Sequence, residues 1–85
     1  MTKKRDPILQ AVLDARRPVD FRKLEGLLKR LGFQLDRIRG SHRIYRHPKS
    51  TRPLNIQPKG HEAKPYQVRQ LRDMILEFDL LDDEE

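Results

Sequence analysis

At 85 residues the chain has room for one domain, and a chain of that size buries roughly 60–65% of its unfolded surface, which argues against a deep enclosed pocket for a large cofactor. It has no cysteine, so disulfide frameworks and thiolate metal or redox chemistry are excluded, and its three histidines form no helical His-x-x-x-His pair, so neither a metal nor a cofactor is expected. The formal net charge of +6 is unevenly spread: all 19 Lys and Arg lie in residues 1–72 with six acids, 19 − 6 = +13, whereas residues 73–85 carry seven acids and no cation, −7.

Ile8, Leu9, Val12 and Leu13 recur at helical spacing behind Asp6, a suitable N-cap, and Pro7, whose missing N–H costs nothing at a first helical position; this predicts a short helix over 6–16. Arg17-Pro18-Val19 breaks it. Asp20 can cap a second helix with Phe21, Leu24, Leu27, Leu28 and Leu31 on one face and Gly32 ending it in the left-handed region. A strand follows at once, with Phe33, Leu35 and Arg37 alternating with Gln34, Asp36 and Ile38, and Gly40-Ser41 supplies a turn.

A second strand over His42 to His47 puts His42, Ile44 and Arg46 on one face and Arg43, Tyr45 and His47 on the other, unless a bulge at the turn changes the phase. Leu54 and Ile56, between Pro53 and Pro58, predict a short third strand. A loop with Gly60 and His61 leads to a last helix near Pro65, with Val68, Leu71, Ile75 and Phe78 as its apolar stripe and Gln67, Arg69, Gln70 and Asp73 on polar positions. The order α-α-β-β-β-α predicts an α+β domain in which both main helices cover one face of a three-stranded antiparallel sheet and the other face stays wet.

Residues 37–52 carry Arg37, Arg39, Arg43, Arg46, Lys49 and Arg52, two histidines and no acid, in a segment that alternates like a strand. Such a segment points toward phosphate, although ordinary solvated strand arginines have the same pattern. The short apolar stretch from Ile8 to Leu13 is too short for a membrane span and poor as a signal segment, so the expectation is a cytoplasmic protein without a membrane partner.

The runs Leu27-Leu28-Lys29-Arg30-Leu31-Gly32-Phe33, Gly40-Ser41-His42-Arg43-Ile44-Tyr45-Arg46-His47-Pro48 and Lys64-Pro65-Tyr66-Gln67-Val68-Arg69-Gln70 together resemble the HicA family of toxins. The resemblance covers residues 20–80 and implies an α-β-β-β-α domain like a double-stranded-RNA-binding fold. It also implies an mRNA interferase acting on RNA and neutralised by a HicB-like antitoxin. The chain is then read as a single domain over 1–85: an N-terminal helical extension (1–19), the HicA-like core (20–80) and an acidic tail (81–85). The extension and the tail depart from shorter family members. The extra helix can lengthen the core, swap into a second copy or form part of an antitoxin surface; of these, core extension is the expectation.

On the resemblance, His42 matches the family's catalytic histidine. RNA carries its own nucleophile, the 2′-hydroxyl, and a neutral imidazole beside it can act as general base, a contribution of roughly 10²- to 10⁴-fold, while cations stabilise charge on a phosphorane-like transition state. Such chemistry needs no metal. Gly40 and Ser41 are read as positioning His42, and Arg37, Arg39, Arg43 and Arg46 as phosphate contacts, with Arg43 first for its adjacency. Lys59 and Lys64 flank the start of the last helix, where double-stranded-RNA-binding folds carry lysines. Tyr45 is either a stacking platform or core, His47 a strand-end residue, and His61 loop filler or a phosphate contact.

Two functions of different class remain: a ribonuclease toxin dependent on His42, and a noncatalytic RNA-binding module using the same basic face. A protein-binding adaptor with an acidic partner is a third.

Overall fold

A computed structural model describes residues 6–81; the acidic run beyond Leu81 lies outside the described residues. Helix α1 (Pro7–Asp14) starts where Asp6 accepts the N–H of Ile8 at 2.9 Å, and Leu9 and Val12 on its inner side are fully buried. It packs on α3 and α2 and so extends the core. Strand β1 (Val19–Asp20) runs directly into α2 (Phe21–Leu31), whose N-cap Asp20 accepts from the Lys23 N–H and whose five buried residues are those of the predicted stripe. Gly32 closes α2 at φ 100°, a left-handed conformation that costs a residue without a Cβ little.

Strands β2 (Gln34–Arg39), β3 (His42–Arg46) and β4 (Leu54–Ile56) form an antiparallel sheet in the order β2-β3-β4. Strand β5 (Glu62–Ala63) pairs with β1, Val19 opposite Ala63, and α3 (Pro65–Phe78) completes the chain. This small ladder was not legible in the sequence, because two-residue strands carry no period. It ties the start of α2 to the start of α3, helped by the Phe21 N–H donating to the His61 carbonyl at 2.8 Å. Among the described residues no helix is long and apolar enough to cross a membrane.

The core joins the helices to the inner sheet face through Tyr45, Leu54 and Ile56. Each fully buried leucine contributes roughly 1.5–3 kcal/mol of transfer free energy. The fold is thus the α+β architecture expected, with its three-stranded antiparallel sheet. One detail differs from expectation. Gln67, read as part of the polar side of α3, is buried. Leu35 and Ile38, opposite Tyr45 and Arg43 and so on the helix side of the sheet, remain 44% and 51% exposed, because the helix layer stops short of edge strand β2.

Candidate functional site

The site starts from a bulge. The pairs Gln34–Arg46 and Leu35–Tyr45 are followed by Arg37–Ile44, Ile38–Arg43 and Arg39–His42, so Asp36 is one extra residue in β2. Directly opposed residues share a sheet face. Strict alternation from Leu35 would have turned Arg37 and Arg39 toward the helices; the extra residue flips the phase and brings both to the outer face with Arg46, His42 and Ile44. Sequence reading allowed for a bulge at the turn, but it lies in β2 instead. Bulges commonly re-aim side chains in this way.

Asp36 also holds two of those cations. Its carboxylate lies 3.1 Å from Arg46 Nε and 3.3 Å from Arg37 Nε. The hydrogen bond from Arg46, with that from Arg37 and their charges, holds the Asp36 carboxyl below the ordinary carboxylate value despite some desolvation. Arg39 has no ionic partner among the described residues, and it sits opposite His42 at the hairpin end.

The turn between them is Gly40-Ser41. Gly40 has φ 58° and Ser41 a negative φ, the pattern of a type II′ hairpin, which matches the twist of the flanking strands. A Cβ on Gly40 would meet nothing within 4 Å, so its glycine is required by conformation and not by close approach. Ser41 is exposed.

His42 is exposed, and its Nδ1 lies 3.0 Å from Asn55 Oδ1 on the neighbouring strand. With that oxygen as acceptor, Nδ1 is the donor, and in the neutral ring the lone pair is then on Nε2, the tautomer a base requires. His42 stands at the edge of a groove of about 480 Å³ between β4 and α3, shared with Asn55, Gln57, Tyr66, Gln67 and Gln70. Leu54 and Met74 line it from the core, and Arg52 and Asp73 line it as well. Arg52 is bound to Glu77 at 2.7 Å and lies over the Phe78 ring at 5.1 Å.

Arg43 does not join this group. Although next to His42 in sequence, it points to the helix side, where its Nε is 3.5 Å from Glu25 and its guanidinium lies 5.8 Å from the centre of the Phe21 ring. Tyr45 is on the same side: it is buried, and its hydroxyl donates to Glu25 at 2.6 Å. Burial first, and then the Glu25 carboxylate, push the Tyr45 hydroxyl pKa far up. Of the two readings of Tyr45, core is the one observed.

Lys59 and Lys64 are exposed and lie outside the groove: Lys59 opens the narrow turn that closes on Glu62, and Lys64 is the N-cap of α3 with no side-chain cap bond. His47 is structural, its Nε2 donating to the Leu31 carbonyl at 2.7 Å while its Nδ1 accepts the Lys49 N–H at 3.0 Å. His61 is exposed in the 60–61 turn and lines a small hollow beside Glu25 and Arg43.

The groove residues Asn55, Gln57, Tyr66, Gln67 and Gln70 were not identified from sequence as site residues. Isolated amides in a strand and a helix carry no charge pattern, and only the packing of α3 on β4 draws them together.

A family model described as the HicA toxin of bacterial toxin-antitoxin matches residues 21–76, from the first residue of α2 to the last turn of α3. No curated protein and no solved structure matches the chain.

Proposed function

We propose an endoribonuclease activity on mRNA for this chain, which belongs to the HicA family of toxins from bacterial toxin-antitoxin pairs, with His42 as general base and a HicB-like antitoxin as its protein partner. The observation that carries the proposal is the pairing of His42 with Asn55, which makes Nδ1 the donor and turns Nε2 of the neutral ring toward a substrate, on a sheet face shared with Arg37, Arg39 and Arg46.

In the reaction Nε2 takes the proton of a ribose 2′-hydroxyl. The 2′-oxygen attacks the adjacent phosphorus, the bond to the 5′-oxygen breaks, and that oxygen leaves with a proton from solvent, giving a 2′,3′-cyclic phosphate and a free 5′-hydroxyl. Negative charge grows on the phosphoryl oxygens as the pentavalent state forms. Arg39, opposite His42 and without an ionic partner among the described residues, is the cation best suited to meet it. Arg37 and Arg46, fixed by Asp36, hold the flanking backbone. Gly40 and Ser41 set the turn that carries His42, and Lys59 and Lys64 contact the strand further along.

The test is incubation of the purified protein and His42→Ala with a long single-stranded mRNA in EDTA, read on a sequencing gel. Fragments from the wild type alone, absent when the scissile ribose is 2′-deoxy, are the expected result. Intact RNA in both lanes with retained binding would move the function to a noncatalytic RNA-binding module.

A further inference from the structure

Gln67 is the one buried amide side chain among the described residues, 6% exposed on the inner side of the β4–α3 groove. Its Oε1 accepts the Gln57 N–H at 3.2 Å, which fixes the amide's orientation. The Nε2 side faces the groove with only a long 3.5 Å contact to the Tyr66 hydroxyl, and its second N–H finds no acceptor among the described residues. A buried donor left this way costs free energy unless a further partner completes it. Beside it Tyr66, 51% exposed, presents an aromatic ring that the core does not use. Gln70 adds an exposed amide offering a donor and an acceptor, and Asn55, whose Oδ1 is engaged by His42, adds a donor.

A cradle of one open ring and several amides differs in kind from the arginine face around it. Guanidinium contacts to phosphate carry no sequence information; amides beside an aromatic ring match the hydrogen-bonding edge and the face of a nucleobase. A duplex keeps its bases stacked and paired, so only an unpaired strand can offer one to such a groove. A volume of about 480 Å³ falls within the range of small-ligand sites.

We infer that the groove between β4 and α3 is a subsite for one unpaired RNA base, stacked on Tyr66 and read by the Gln67 and Gln70 amides, beside the nucleotide whose 2′-hydroxyl meets His42. The inference rests on the ribonuclease reading and adds what that reading lacks, a source of base preference. The bound base supplies the acceptor that the Gln67 amide is missing, and it fixes the strand's register against the imidazole.

The test uses the full chain carrying His42→Ala, so that RNA stays intact, and four ten-nucleotide homopolymeric oligoribonucleotides followed by fluorescence anisotropy. Unequal affinities among the four are expected. Tyr66→Ala and Tyr66→Leu should each weaken the preferred oligonucleotide about 5- to 100-fold, Tyr66→Phe should restore it, and Gln70→Ala should reduce the differences among bases. The leucine variant keeps bulk while losing the ring, so a loss shared by alanine and leucine and rescued by phenylalanine belongs to stacking and not to misfolding. Wild-type affinity in Tyr66→Leu, with binding still abolished by charge reversal at Arg37 and Arg46, would overturn the base subsite and leave the ribonuclease intact. Absence of both RNA binding and cleavage in the chain with His42 present would overturn the ribonuclease reading and the subsite with it.

Discussion

The Nδ1 of His42 and the Oδ1 of Asn55 lie 3.0 Å apart across β3 and β4. This contact fixes which imidazole nitrogen is free, and so makes Asn55 a positioning residue for any chemistry at His42. Asn55→Ala should lower single-turnover cleavage roughly 10-fold or more, within the range general base catalysis supplies, a larger effect than the loss of RNA affinity from the groove it lines. An unchanged rate in Asn55→Ala would remove Asn55 from that positioning role.

The bulge at Asp36 sorts the arginines into two classes that salt dependence can separate. Glutamine at Arg37, Arg39 and Arg46 together should weaken RNA binding and reduce the slope of log affinity against log salt by about 2, near 0.7 for each lost single-strand phosphate contact. Arg43→Gln should leave the slope alone and lower the melting temperature, because Arg43 serves Glu25 and Phe21 on the helix side. Equal slopes from both variants would contradict this division of the faces.

Tyr45 and Glu25 form the polar anchor of the core, with 2.6 Å between hydroxyl and carboxylate. Tyr45→Phe should cost about 1.5–3 kcal/mol in chemical denaturation, the usual worth of a hydrogen bond to a charged acceptor. The raised pKa of this hydroxyl also sets a pH limit. Its neutral form is favoured in the folded state, so the associated stability is fully present below the ordinary tyrosine pKa of about 10 and is lost as pH rises above it. Tyr45→Phe should therefore show a shallower loss of stability in alkali.

Asp6 caps α1 and pairs with Arg30 at 2.8 Å. Burial acts to raise its pKa but is outweighed by the N–H groups of Ile8 and Leu9 and by Arg30, so the carboxyl titrates below its ordinary value. A depressed pKa contributes stability above the unfolded value of about 3.9 and loses it as pH falls through the folded one. Asp6→Asn retains a capping side chain without the charge, so the melting-temperature advantage of the wild type over it should be full near neutrality and shrink progressively as pH falls below about 4. Asp6→Ala should cost about 1 kcal/mol by loss of the cap.

At Gly32 two constraints coincide. Its φ is 100°, and a Cβ there would lie 3.1 Å from His47 Nε2, the atom that donates to the Leu31 carbonyl. Gly32→Ala should cost at least about 1–2 kcal/mol from the left-handed backbone alone, and His47→Ala should recover part of that loss in a double-mutant cycle. Strict additivity would show that the imidazole does not resist the methyl group.

What the sequence by itself determined is what short-range physics controls. Asp6 and Pro7, Asp20, and Gly32 mark helix ends because capping and backbone conformation act within four residues, and the stripe of Phe21, Leu24, Leu27, Leu28 and Leu31 fixes which face of α2 is buried. The runs around Gly40-Ser41-His42 also carry the family resemblance, which depends on residue identity and order alone. Tertiary structure decided the composition of the site. One extra residue in β2 chooses whether Arg37 and Arg39 join His42 or the helices, and period-two reading has no term for it. Asn55 lies 13 positions from His42, and Tyr66 and Gln67 lie on another element, so their convergence depends on how α3 packs against the edge of the sheet. Arg43, nearest in sequence, is removed from His42 by the alternation of a single peptide unit.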